Sequence, residues 1–294
     1  MSNTCAIILN YFGAESTEKC LASLAGQGLK KIFLVDNSAS PEELERLRRV
    51  VDRVTDIDQE WKIVLIANKE NFGFGRAINS VLKSINRAAE NYEYYLLINN
   101  DAEAMPGMHA SLIDAIEKNN EIVITAPFVL SKNSSSCFLW YNRITGALTS
   151  RKIPFSFPYL VGHCLLIRAS YLANRLPFDE GFFMYGEDVL LGWQVIRDGK
   201  TSLCVGDAGV KHLGTGSSKK GDLFYEYHLA RGHVLLAHKT ARNRLELFLY
   251  LAGRVLYLSA RAMVRCTRYR SFSPMTAFLL AWTNRDVPAP MPEQ

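Results

Sequence analysis

YYLLINNDAEAMPG, Tyr94–Gly107, runs apolar through Ile98 and then turns abruptly polar. A short apolar run bounded by turn residues reads as a buried strand. Working outward, the same pattern occurs three times before it. AIILN (Ala6–Asn10), KIFLVD (Lys31–Asp36) and KIVLIA (Lys62–Ala67) are apolar runs. Helical stretches lie between them at Thr17–Ala25, from Pro41 and at Arg76–Glu90, with Pro41 suited to a first helical turn. Near-continuous apolar strands alternating with helices predict an α/β fold, a mostly parallel sheet with helices on both faces.

The four runs end alike, at Asn10-Tyr11, Asp36-Asn37-Ser38, Asn68 through Asn71, and Asn99-Asn100-Asp101. Any one such exit is equally well a plain turn, because Asn, Asp and Ser favour turns. Four on one edge predict a ligand cleft, since open α/β sheets bind ligands beyond the carboxyl ends of their strands.

Bulk composition is compatible with this. The 294 residues, 48% hydrophobic and 21% charged, suit one large domain, or one domain with an appendage. No uncharged apolar run reaches 18 residues, which argues against a spanning helix. The opening MSNTCAIILNYFG reads as a strand and not as a signal peptide. Six scattered cysteines without a CxxC pair predict reduced thiols in a cytoplasmic protein, neither a disulfide framework nor a zinc site.

Beyond the first strands, Ile122–Val129 and YLVGHCLLI (Tyr159–Ile167) read as strands, Ser131–Ser136 as a polar loop and Pro177–Gly181 as a turn. Asp188–Arg197 reads as a helix, and the tail, Tyr227–Arg270, as one continuous helix. Residues 1–230 carry 24 Lys+Arg against 26 Asp+Glu, whereas residues 231–294 carry 10 against 3. That asymmetry implies a phosphate-bearing partner, anionic lipid or nucleic acid, and no nucleic-acid motif accompanies it. Arg254, Arg261, Arg265 and Arg268 share one helical face, and Leu247, Leu251, Leu258 and Ala262 the other. Such a helix can lie on an anionic membrane surface through its basic face, or pack on its own domain with that face solvated.

Three constellations carry chemistry. Asp101 and Glu103, two apart in extended chain, point the same way and can share a Mg²⁺ or Mn²⁺ ion with a phosphate; a solvated turn is the alternative. Glu187-Asp188 open a helix after the aromatic lead-in GFFMYG. The helix dipole alone favours acids there, and a carboxylate so placed can also serve as general base. His212, just before the glycine-rich LGTGSS, suits diphosphate or a third place on a Mn²⁺ ion; a lone histidine is more often structural than a ligand, which is the alternative.

The ordered set IILNYFG, VDNSAS (Val35–Ser40), NKENFGFGRAIN (Asn68–Asn79), LLINNDAE, GHCLLIR, FDEGFFMYGED (ending at Asp188) and KHLGTGSS resembles the family 2 inverting glycosyltransferases of the GT-A fold, in their rhamnosyltransferase-like branch. The resemblance covers residues 4–220. It implies a Rossmann-like GT-A domain over 1–226, with a nucleotide-sugar half to 103 and an acceptor half from 104, and a C-terminal amphipathic helical region over 227–294. It implies that Asn10, Asp36, Asn71, Gly73, Phe74 and Asn100 hold the nucleotide, with Asn79 on the following helix. Asp101, with Glu103 and His212, would hold Mg²⁺ or Mn²⁺, Asp188 would be the base, and Glu187 would orient the acceptor. The implied activity is a hexosyltransferase taking a rhamnose-like sugar from a dTDP- or UDP-linked donor to a glycan or lipid-linked acceptor of a bacterial surface polysaccharide. Its place would be the cytoplasm, peripheral on the inner face of the cell membrane. The alternative is a catalytically inactive nucleotide-sugar or carbohydrate-binding module of the same fold. Leu190 and Gln194 stand where the family often has an Asp and an Arg, and the strand exit reads NND where many relatives have another residue before the aspartate.

Overall fold

A computed structural model describes residues 3–57, 62–130, 137–212 and 220–283. In chain order the first elements are β1 (Thr4–Asn10), α1 (Ala14–Leu24), β2 (Lys31–Asp36), α2 (Pro41–Thr55), β3 (Lys62–Ala67), α3 (Phe74–Arg87), β4 (Tyr94–Asn99) and β5 (Ala102–Ala104). Then come α4 (Met108–Glu117), β6 (Ile122–Leu130), β7 (Phe138–Asn142), β8 (Leu148–Thr149), β9 (Ser156–Leu160) and β10 (Cys164–Arg168). The last are α5 (Glu187–Arg197), β11 (Thr201–His212), α6 (Leu223–Thr240), α7 (Arg244–Tyr269) and α8 (Ser273–Leu280). The loops expected at 131–136 and after His212 lie outside the described residues.

Contacts divide the chain into two compact units that interleave in sequence. One holds residues 1–138, 160–178 and 194–217; the other holds 139–159, 179–193 and 218–294. A single boundary at 226 therefore does not separate them.

The first unit contains an eight-stranded sheet in the order β3-β2-β1-β4-β10-β6-β11-β5. The quartet β3-β2-β1-β4 is parallel, with Asn10 opposite Asp36, Asp36 opposite Ala67 and Leu9 opposite Asn99. The four polar exits thus lie on one sheet edge, as the sequence pattern implies. The core is the apolar runs themselves: Ile7, Ile8, Ile32, Leu34 and Leu96 are wholly buried, each stabilising the fold by about 1.5–3 kcal/mol.

Beyond β4 the sheet is mixed. The single strand expected over Tyr159–Ile167 is two, β9 and β10, broken at Gly162, where the His163 N–H donates to the Val161 carbonyl at 2.9 Å. After that turn β10 runs antiparallel to both β4 and β6. β11 is parallel to β6 and antiparallel to β5. The reduced-thiol expectation also fails at one pair: Cys137 and Cys204 form a disulfide with Cα atoms 6.0 Å apart. Pairing of β11 with β6 sets Cys204 opposite Ala126, whose carbonyl lies 4.0 Å from the Cys137 sulfur. Cys5, Cys20 and Cys164 are buried free thiols, and Cys266 is free and half-buried.

The second unit contains the small sheet β8-β7-β9 and the C-terminal helices. The expected continuous tail helix is three helices. Ala241 turns extended after α6 (φ −73°, ψ 137°), and Asn243 caps α7 by accepting from the Glu246 N–H. The Glu246 carboxylate reciprocally accepts from the Arg242 N–H at 3.0 Å, which fixes the break.

The basic face of α7 also departs from expectation. Its arginines do share a face, but that face is turned inward. Arg254 is wholly buried and donates to the carbonyls of Arg143 (2.6 Å) and Tyr250 (3.3 Å) and to the Tyr141 hydroxyl (3.2 Å). Arg261 lies 3.3 Å from the ring of His233, and Arg265 forms a two-pronged ion pair with Glu226. Of the four, Arg268 is exposed. A guanidinium with five donors can be buried where carbonyls, hydroxyls and a carboxylate meet it.

Candidate functional site

The exits of β1, β2 and β4 build a polar network of amides, carboxylates, hydroxyls and backbone N–H groups. Asn10, wholly buried, donates to Asp36 (3.3 Å) and Glu43 (3.1 Å). Its own oxygen accepts from the Gly13 N–H (3.1 Å), the Thr17 hydroxyl (2.9 Å) and the Asn100 amide (3.3 Å). Asp36 also accepts from the Ser38 N–H at 3.0 Å. A second amide cluster adjoins it. Asn37 donates to Asn71 (2.7 Å) and accepts from Asn68 (3.0 Å) and the Phe72 N–H (3.1 Å), while Asn71 accepts from the Gly73 N–H (2.9 Å).

Of the residues expected to line the nucleotide pocket, Asn10, Asp36 and Asn100 join the first cluster, and Asn71 and Gly73 the second. Phe74 opens α3 and packs edge-on against Phe178 at 5.5 Å. Asn79 is wholly buried and donates to the Phe178 carbonyl at 2.8 Å, so it ties α3 to that loop.

Glu43 and Asn37 were missed by sequence reasoning. Glu43 carried a signal, because Ser40-Pro41-Glu42-Glu43 is a capping-box pattern and its N–H does bond the Ser40 hydroxyl at 3.2 Å. Its carboxylate, however, is spent on Asn10 and on the Ala14 N–H at 2.9 Å. That use depends on the approach of α2 to β1, which local pattern does not encode.

One step along the same edge, the register of β11 with β5 sets His212 opposite Ala102, beside Asp101. The His212 imidazole and the Asp101 carboxylate are 3.2 Å apart. His163, at the turn into β10, stacks on His212 with ring centres 3.8 Å apart, and its carbonyl accepts from the Asn99 N–H. Burial raises the Asp101 carboxyl, but the hydrogen bond and charge of His212 outweigh it and hold the group below its ordinary range. Burial, then the neighbouring His212, depress His163 to about 4, so it is neutral at physiological pH. His163 was also missed; the clue is Gly162 inside an apolar run, since an isolated glycine in a strand marks a bulge or a close backbone approach.

Asp101 and His212 offer a hard carboxylate oxygen and an imidazole nitrogen, donor types that Mn²⁺ accepts and that leave room for substrate phosphate. The two residues therefore fit a divalent cation. Glu103 does not join them. Asn100-Asp101 form a turn and not extended chain, so the two-residue spacing fails, and Glu103 sits on β5 opposite Lys211. Among the described residues no three of His, Cys, Asp and Glu converge as a ligand set.

Glu187 and Asp188 belong to the second unit. They open α5, where free N–H groups and the helix dipole favour negative charge. Asp188 accepts from the Val189 N–H at 2.8 Å. Glu187 is buried, and its Oε2 has no hydrogen-bond partner among the described residues. Burial and repulsion from Asp188 push its pKa up to about 8. At neutral pH Glu187 is thus held mostly in its neutral, protonated form.

Backbone packing holds the loop before the pair. Tyr185 has φ 65° and Gly186 φ 106°, and α6 lies so close that a Cβ on Gly232 would collide with the Tyr185 carbonyl oxygen. Likewise a Cβ on Gly192 would meet the Tyr159 Cβ at 2.5 Å, which seats α5 on β9. Residues 181–184 and Tyr227, His228, Arg231 and Leu235 of α6 line a cavity of about 270 Å³ within this unit.

Comparison with known proteins bears on these residues. The glycosyl transferase family 2 model matches residues 5–176. A curated N-acetylglucosaminyl-diphospho-decaprenol L-rhamnosyltransferase, from two strains of Mycobacterium tuberculosis, is 24% identical over 237 residues, 70% of this chain and 74% of its own length. Among solved structures, a mannosyltransferase from Pyrobaculum calidifontis in complex with GDP-Man and Mn²⁺ superposes with a TM-score of 0.56 at 15% identity, covering 95% of this chain and 85% of that one. GalNAc-T7 with UDP, GalNAc and Mn²⁺ superposes with a TM-score of 0.64 at 14% identity, over 95% of this chain and 56% of that one. The two superpositions carry the GT-A fold.

Proposed function

The chain belongs to glycosyl transferase family 2 and is a glycosyltransferase, and we propose that it is an inverting hexosyltransferase moving a rhamnose-like sugar from a nucleoside-diphosphate donor to a hydroxyl of a lipid-linked acceptor. The observation that carries this reading is the Glu187–Asp188 pair. A buried Glu187 carboxyl held neutral beside Asp188 at the start of one helix supplies a neutral partner next to a candidate general base. Asp188, at the start of α5, takes the proton of the acceptor hydroxyl. The new bond from that oxygen to the anomeric carbon forms as the bond to the diphosphate breaks, and the nucleoside diphosphate leaves with the electron pair. Attack from the opposite face inverts the anomeric centre through an oxocarbenium-like transition state. Glu187, protonated, donates a hydrogen bond that orients the acceptor.

The amide clusters around Asn10 and Asn37 bind the base and ribose of a dTDP- or UDP-linked donor, with Asp36 accepting from a ribose hydroxyl. Asp101 and His212 hold a Mg²⁺ or Mn²⁺ ion, whose charge would neutralise the departing diphosphate. The curated relative's name specifies a polyprenyl-diphosphate acceptor. By that likeness the reaction serves bacterial surface-glycan assembly at the inner face of the cell membrane.

The test is a donor screen with Mn²⁺ or Mg²⁺ scored by nucleoside-diphosphate release. One donor is expected to turn over, with loss of activity on chelation and in Asp188→Asn. Undiminished turnover after chelation would overturn the Asp101–His212 reading, and an active Asp188→Asn enzyme would overturn the base assignment. Donor binding without transfer to any acceptor would make the protein a binding module.

A further inference from the structure

The inward turn of the α7 arginines leaves the opposite side of that helix apolar and bare. Leu245 (68% exposed), Phe248 (67%), Leu249 (48%), Leu256 (73%), Met263 (55%) and Val264 (68%) lie on it, falling within one flank of the helical wheel. From Leu245 to Val264 the stripe runs about 29 Å at the α-helical rise. Helices on soluble proteins put the apolar face inside and the charges in water; here Tyr250, Arg254, Leu258 and Ala262 are the buried positions. A continuous exposed apolar stripe of this kind marks an interaction surface.

We infer that α7 is a monotopic membrane anchor that lies in the plane of an anionic bilayer, with this stripe among the acyl chains. The inference rests on the membrane-face reading given above and names the surface responsible, which is not the basic face. Charge complementarity identifies the occupant. Exposed Arg242 and Arg244 precede the stripe and exposed Arg268 and Arg270 follow it, so both ends carry cations at the depth of anionic headgroups. The helix is long and apolar enough to cross a bilayer, with mean hydropathy 1.4 over 18 residues. A crossing would put Arg254, Arg261 and Arg265 in hydrocarbon and break their bonds to the Arg143 carbonyl, His233 and Glu226, so the helix lies flat. A second copy of the chain is a poorer occupant. Whether two stripes paired parallel or antiparallel, arginines of one copy would face arginines of the other.

The full chain is tested by flotation with phosphatidylcholine vesicles, with and without phosphatidylglycerol. Wild type is expected to float with the anionic vesicles. A Leu256→Glu, Val264→Glu variant, altered only at exposed positions, is expected to lose roughly tenfold or more in partitioning while keeping its thermal melt. Arg242→Gln with Arg268→Gln is expected to weaken binding and flatten its salt dependence. Vesicle binding unchanged in the glutamate variant would overturn the inference. So would a wild-type chain that ignores vesicles but sediments as a dimer dissociated by the same glutamates. Sugar transfer to a detergent-solubilised acceptor by a protein that does not float would sink the anchor and leave the transferase reading standing; flotation without transfer would do the reverse.

Discussion

Replacing Glu187 with glutamine changes how stability depends on pH. The wild-type carboxyl has a folded pKa near 8 against about 4.5 unfolded, from burial first and Asp188 second. Between those values the unfolded chain releases the proton and the folded chain keeps it. The contribution is therefore fully present below about pH 4.5 and is lost progressively as pH rises towards 8. At about 1.4 kcal/mol per pH unit, the interval from pH 5 to pH 7 removes about 3 kcal/mol from wild type that Glu187→Gln does not lose. Any constant cost of placing an amide at the unpartnered Oε2 shifts the variant equally at every pH. The assay is equilibrium urea unfolding of both proteins at pH 5, 6 and 7. The variant's stability relative to wild type should climb by about 3 kcal/mol across the series. Parallel curves would mean that Glu187 is ionised in the fold, and the split of the pair into acid and base would collapse with it.

Gly232→Ala should push the Tyr185 carbonyl off α6, costing about 1–3 kcal/mol and lowering turnover more than donor affinity, as read by thermal melts and steady-state kinetics. Asn37→Ala removes the centre of the second amide cluster; donor affinity, measured by calorimetry, should fall with little change in the melting temperature of the second unit. Glu226→Gln leaves the half-buried Arg265 without its carboxylate and should cost about 1–3 kcal/mol, recovered in part by a paired Arg265→Met change.

The first four strands were legible because each is a closed apolar run with a polar stop. Lys31–Asp36, Lys62–Ala67 and Tyr94–Asn99 begin and end where the pattern changes. The sheet beyond β4 was not, because strand direction depends on the turn at Gly162-His163, which the apolar residues on both sides mask. Asp101 and His212 could be nominated from residue type, but their meeting depends on a β5–β11 register that spans more than a hundred residues. The shared face of the α7 arginines was legible, but its orientation was not, nor was the place of Leu258 and Ala262, which are buried beside Arg254 and not opposite it. Periodicity separates two faces without saying which one the protein covers, and buried carbonyls, His233 and Glu226 took the arginines.

The contact between Gly232 and Tyr185 has a consequence for synthesis on the ribosome. The loop leading to Glu187-Asp188 is made well before α6, the helix it rests on. At about 5–20 residues per second, several seconds of elongation separate the two. Tyr141 waits longer still, since its partner Arg254 is 113 residues downstream. Translation therefore delivers the parallel strands β1–β4 first and the packing support for the Glu187-Asp188 loop last, so that on the proposed roles the donor half is complete before the base is held in place.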